Sequence, residues 1–155
     1  MPGPIERRLT ELGITLPEAA APAANYVPWR VHGDQIIVSG QLPMEQGRVA
    51  VRGKLGAGVS LEEGQRAARL CALNLLAQVR AACNGEIRRP VRCLRLGAFV
   101  AATPEFQDHP KVVNGASDLM VEVMGDGGRH ARFAVGVASL PFDAAVEIDG
   151  LFELA

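Results

Sequence analysis

Val91-Arg92-Cys93-Leu94-Arg95-Leu96-Gly97-Ala98-Phe99-Val100-Ala101 decides the fold. The run contains no proline, and both of its alternating sets carry apolar side chains: Leu94, Leu96, Ala98 and Val100 in one, Cys93, Phe99 and Ala101 in the other. A strand that alternates apolar and polar residues rests one face on a core and leaves the other in water, whereas a strand apolar on both sides is covered on both. Something must therefore lie on each face of the sheet that holds this strand.

Two helical patterns flank it. Upstream, Ser60-Leu61-Glu62-Glu63 is a capping box, in which the Ser60 hydroxyl accepts from the Glu63 amide while Glu63 reaches back. The helix it opens runs to about Ala82. Ala68, Cys71, Ala72, Leu75, Leu76 and Val79 recur at helical spacing, Arg66, Arg69 and Gln78 are among the polar positions, and Asn84-Gly85 ends it. Downstream, Pro110 suits the first position of a second helix, whose stripe is Val112, Ala116, Leu119 and Val123, widened by Val113 and Met120. The glycines from Gly125 to Gly128 break it.

Further out lie the remaining strands. Tyr26 to Val31 and Gln35 to Gly40 flank a Gly33-Asp34 turn, and a third short strand runs from Arg48 to Val51. Two closing strands, Ala131 to Ala138 and Ala145 to Leu154, are joined at Leu140-Pro141. The order is β-β-β-α-β-α-β-β, an α+β layer in which two helices cover one face of a sheet. Phe133, Val135 and Val137 add to the apolar surface of the face left over. That face needs a partner, so a homo-oligomer is expected. Residues 1–23 read as an N-terminal helical extension (about Pro4 to Leu12) followed by an Ala/Pro linker, and residues 24–155 as the domain.

Composition narrows the function classes. The 155 residues are 48% hydrophobic and 21% charged, and sixteen basic against seventeen acidic side chains leave a net charge of −1. No general field favours a polyphosphate, so neither nucleic acid nor an anionic membrane is an expected partner. Arg88, Arg89, Arg92 and Arg95 form the one local basic cluster, read as a solvated approach to the central strand. The first sixteen residues carry Glu6, Arg7, Arg8 and Glu11 and no long apolar run, so a cytoplasmic location is expected. Cys71, Cys83 and Cys93 have no paired spacing, and His32, His109 and His130 lie apart, so no metal site is expected.

Few residues offer chemistry. Arg132 opens an otherwise apolar strand beside the small residues Ala134, Gly136 and Ala138; it is either a carboxylate-gripping fork or a strand-end arginine reaching water. Glu147 alternates with Val146 and Ile148. It is a solvated outer residue unless that face is buried between subunits, where a carboxylate can orient a water or carry a proton. Asn114, Ser39-Gly40-Gln41 and Tyr26, the single tyrosine, are further candidates, each with an ordinary structural alternative: an exposed helix residue, a turn in which Gly40 supplies unusual backbone angles, and a core aromatic.

Taken in order, these residues resemble the RidA/YjgF family. Tyr26 to Pro43, with Ile36-Ile37-Val38-Ser39-Gly40-Gln41-Leu42-Pro43, is similar to its opening. Phe99-Val100, Glu105-Phe106 and Val113-Asn114 resemble its central block. Ala131-Arg132, Val135, Val137-Ala138, Leu140-Pro141 and Val146-Glu147-Ile148 resemble its C-terminal signature. The resemblance implies a chorismate-mutase-like fold assembled as a homotrimer with ligand clefts between subunits. It implies the hydrolysis of reactive enamines or imines, such as 2-aminoacrylate and 2-iminopropionate, to 2-oxo acids and ammonia, with no cofactor. By the same resemblance Arg132 grips the substrate carboxylate, Glu147 positions the water, and Tyr26, Gly40, Asn114 and the backbone at Ala134 line the cleft.

Several departures point to a divergent subgroup: the N-terminal segment, a longer stretch from Arg52 to Val59, Ser117 where a tyrosine is usual, Ala101-Ala102 where an aspartate is usual, and Ala134 where a cysteine is usual. The competing readings are a non-catalytic binder of 2-oxo acids using the same arginine, a ribonuclease, against which the net charge argues, and a chorismate mutase, which rests on fold analogy alone.

Overall fold

A computed structural model describes all residues, Met1–Ala155. Its elements in chain order are α1 (Pro4–Glu11), β1 (Trp29–His32), β2 (Gln35–Gln41), β3 (Met44–Glu45), β4 (Arg48–Val49), β5 (Lys54–Leu55), β6 (Gly58–Val59), α2 (Leu61–Ala82), β7 (Val91–Ala101), α3 (His109–Met124), β8 (Ala131–Val137) and β9 (Val146–Leu154). Short 3₁₀ turns follow α3 and β8. The main sheet has the order β1-β2-β9-β7-β8, antiparallel except where β7 meets β8. A return from β7 through α3 to a parallel β8 is the crossover that lays a helix on the sheet.

The α+β layer expected from the sequence is present, with α2 and α3 on one face. Ile36, Val38, Leu96, Ala98, Val100, Ile148 and Phe152 meet Cys71, Leu75, Leu76 and Val79 in one buried cluster. Each Leu, Ile or Phe so buried contributes roughly 1.5–3 kcal/mol against exposure. On the other face Ile37 is 49% exposed, Val135 43% and Phe133 37%, so a broad apolar surface is left open.

Four expectations need correction. The run from Arg48 forms no strand of the main sheet: Gln46 and Gly47 adopt positive φ (53° and 79°), and this primed turn folds Arg48–Val49 back on Met44–Glu45 instead. The helix read as an appendage is part of the core, with Ile5 and Leu9 buried and Glu6 paired to Arg80 at 2.6 Å. Burial opposes ionisation of Glu6, but its bonds to Arg80 and the Ile87 amide outweigh that and hold the carboxyl below its usual value. The alternation along β7 reverses part-way. Cys93 pairs with Phe152 and Arg95 with Leu151, so Leu94 is an extra residue, and Cys93 shares the helix-covered face with Leu96. Finally, Gln78 is buried, because its amide donates to Ala20 O at 2.8 Å and ties the Ala/Pro segment to α2.

The α2 cap is half as expected. Ser60 Oγ accepts from the Glu63 amide at 3.1 Å, while the Glu63 carboxylate takes the Ser60 hydroxyl and not the Ser60 amide. No helix is long and apolar enough to cross a membrane.

Candidate functional site

Arg132 lies on β8, an edge strand, in register with the buried Leu96, so its side chain turns to the helix side of the sheet. There α3 receives it. Nη1 donates to Asn114 Oδ1 and to Ser117 Oγ, both at 2.9 Å, and Nη2 donates to Pro110 O at 3.1 Å. A guanidinium has five N–H donors; these bonds leave one on Nε and one on Nη2, which suits a carboxylate with two oxygens.

Ser117 was not singled out as a site residue from sequence. Its hydroxyl stands 2.8 Å from His130 Nε2, and His130 Nδ1 meets Gly128 O. The carbonyl can only accept, which assigns the proton to Nδ1. In the neutral ring Nε2 accepts from Ser117, whose oxygen accepts from Arg132. Ala134 follows two residues on, half-buried on the same face and in register with Ala98.

Glu147 is on the opposite face. It pairs in register with Phe99, and its parity differs from that of the buried Val146 and Ile148. It accepts no hydrogen bond from its own chain. Burial, and then the charge of Asp149, hold its carboxyl above the usual value of 4.5. Asp149 itself is engaged, by Arg95 at 3.2 Å and the Gly97 amide at 3.0 Å.

Gly40 belongs with Glu147, though not for its backbone angles. It has no positive φ; rather, a Cβ there would come within 2.4 Å of Glu147 Oε2. A bulge between Val38 and Gln41 carries it into that position. Tyr26 is exposed rather than core, and with Gly40 it lines a cavity of about 350 Å³ whose other walls include Arg48, Arg52 and Phe142.

One chain thus holds two groups of candidates apart. Arg132, Asn114 and Ala134 lie at the β8–α3 edge, and Tyr26, Gly40 and Glu147 lie toward the other edge, on or beside β2 and β9. Strand parity sets Arg132 and Glu147 on opposite faces of the sheet. The suspected basic cluster is already neutralised: Arg88 pairs with Glu86, Arg89 with Asp34, Arg92 with Glu153 and Arg95 with Asp149.

Comparison with known proteins accounts for the whole architecture. Residues 6–153 match the family described as "YjgF/chorismate_mutase-like, putative endoribonuclease". The chain belongs to the RidA/YjgF family. Protein TCP17 from Trypanosoma cruzi is 50% identical to it over 153 residues, 98% of this chain and 95% of the relative. The crystal structure of Atu1372 from Agrobacterium tumefaciens, a protein of unknown function, has 54% identity and a TM-score of 0.89, covering 98% of this chain and 93% of that one. The YjgF gene product of E. coli is more distant, at 26% identity and a TM-score of 0.64, covering 88% of this chain and 93% of that one. This RidA/YjgF protein therefore sits in a subgroup with TCP17 and Atu1372, and the match from residue 6 takes in most of α1.

Proposed function

We propose that this RidA/YjgF protein hydrolyses reactive enamines and imines derived from amino acids to 2-oxo acids and ammonia. The observation that carries the reading is the state of Arg132: three bonds from α3 hold its guanidinium while two donors stay free for a substrate carboxylate.

The chemistry asked of the protein is small. An enamine such as 2-aminoacrylate tautomerises to 2-iminopropionate; water adds to the imine carbon, and the adduct expels ammonia. Holding the carboxylate and aiming one water supplies orientation. Glu147 takes the proton from that water and returns it to the departing nitrogen. A carboxyl titrating above its usual value suits that exchange better than an ordinary one.

Because Arg132 and Glu147 face opposite ways in one chain, a complete site needs Arg132 from one copy and Glu147 from another. Two features support a homotrimer of the kind the family resemblance implies. The edges of β1 and β8 are unpaired, and the apolar face bearing Ile37, Phe133 and Val135 is open. Sedimentation as a monomer at micromolar concentration would remove this part of the reading.

The test is coupled-assay hydrolysis of freshly generated 2-iminopropionate by wild type and Arg132→Ala. Loss of two charge-assisted hydrogen bonds should lower kcat/KM by roughly 10²–10³-fold. Absence of turnover, with 2-oxo acids bound in an Arg132-dependent way, would move the protein to the class of carboxylate-binding modules.

A further inference from the structure

We propose that the cavity behind Gly40 takes a second carboxylate, carried on the side chain of the substrate, and that Arg48 and Arg52 are its ligands. The inference rests on the deaminase reading for the reacting end of the substrate; the far end is argued from the cavity itself.

Neither Arg48 nor Arg52 makes an ion pair, although carboxylates are near. Glu45, across the β3–β4 hairpin from Arg48, is held by Arg66 at 2.7 Å. Asp143 is next to Ala144, the backbone partner of Arg52, yet pairs with neither arginine. No Asp or Glu lines the cavity. Both arginines also border a neighbouring hollow beside Glu45 and Arg66, but on the side of the cavity no carboxylate of the chain answers their charge. At about 350 Å³ that space is at the small end of ligand pockets, which run to roughly 1,000 Å³.

The arginines stand on fixed supports. Val49 and Val51 are buried, which anchors the segment, and Arg48 and Arg52 beside them both line the cavity. Below them, Asn74 donates to Met44 O at 3.0 Å. Beside them, Gly53 N donates to Asp143 O at 2.9 Å and Ala145 N to Val51 O at 3.1 Å, which pins the segment to the chain entering β9. That same chain holds Phe142 and Asp143 in left-handed conformations, φ 56° and 59°, a region an aspartate visits readily and a phenylalanine seldom does. Phe142 is 62% exposed and is among the residues lining the cavity.

The cavity also has a direction. At one wall is Gly40, behind which lies the Glu147 carboxylate; another is formed by the arginine-bearing hairpin. A substrate reacting beside Glu147 would extend its side chain past Tyr26 toward a cationic end. Acidic imino acids fit this arrangement, and neutral ones leave the arginines unmatched.

The experiment compares 2-iminoglutarate with 2-iminopentanoate, both generated in situ from the amino acids, using wild type and the Arg48→Gln/Arg52→Gln double variant. Wild type should favour the acidic imine. The ratio of its kcat/KM to that of the neutral imine should fall about tenfold or more in the variant, the size of a lost charged hydrogen bond. A wild type that favours the neutral imine, or a ratio unchanged in the variant, overturns the proposal. If neither imine is turned over, the deaminase reading fails by itself, and calorimetry with 2-oxoglutarate and 2-oxopentanoate decides the subsite. An arginine-dependent preference for the dicarboxylate sustains it, and equal binding overturns it.

Discussion

Around Arg132 the protein's polar groups are tied to one another, with two guanidinium donors left over. Asn114, Ser117 and Pro110 hold the guanidinium, His130 holds Ser117, and Gly128 holds His130. Around Glu147 there is no such network; the carboxylate is kept in place by packing, with Gly40 against one oxygen and Phe99 in register alongside. The difference reflects the charges. In the role proposed for it, a guanidinium that grips a ligand gains from a fixed orientation and keeps its charge whatever surrounds it. In the role proposed for Glu147, a carboxylate that exchanges a proton gains from lacking hydrogen-bond donors, because each donor would stabilise the ionised form and lower its pKa.

The sharpest way to break this comparison is to place the two halves in different chains. Arg132→Ala and Glu147→Gln, each nearly inactive alone, should recover about a quarter of wild-type activity when co-expressed in equal amounts. That fraction is the chance that a random interface joins an intact Arg132 to an intact Glu147. No recovery would mean that both residues serve within one chain, against the parity of the strands.

A smaller effect separates packing from polarity at Glu147. Gly40→Ala pushes a methyl into the carboxylate and should lower kcat by about 10–100-fold, as a misplaced reacting group does, with less change in binding of a 2-oxo acid. In wild type the raised pKa of Glu147 places the acid limb of kcat/KM above pH 4.5. Activity falls as the pH drops through the raised pKa, because the proton-accepting form is lost. Glu147→Gln should abolish this limb in whatever activity remains.

The smallest effect tests the network at Arg132. Ser117→Ala removes one of the three bonds and should raise KM about threefold to tenfold with little change in kcat, one hydrogen bond's worth of positioning. A fall in kcat with KM unchanged would instead give Ser117 a part in the chemistry.

Much of this was legible beforehand. The spacing of apolar residues from Ala68 to Val79 and from Val112 to Val123 located both long helices. Apolar residues in both alternating sets of the Val91–Ala101 run called for a sheet with an uncovered face, although the bulge returns Cys93 to the helix side. Arg132 stood out as a charge opening an apolar strand, whereas Glu147 looked like an outer residue of an alternating strand and drew attention through the family resemblance. Other features were hidden by their nature. Leu94 looks like any other strand residue, and only its lack of a partner across β9 marks the bulge that reverses the faces of β7. Gln78 reads as a polar helix position because nothing local reveals that Ala20 O will meet it. Arg48 and Arg52 do carry a signal, four apart around alternating valines, but it gains meaning only once a cavity lies beside them.

The sequence by itself determined the α+β class, both helices of the covering layer, the family, and that a single charge, Arg132, opens the apolar strand β8. It could do so because helical and extended periodicities are local properties of a chain, and a charge among apolar neighbours is visible without coordinates. Tertiary structure alone decided which face each strand presents, which groups share a pocket, and that Arg132 and Glu147 turn away from each other. Those follow from register, and register depends on partners that lie far away in the chain.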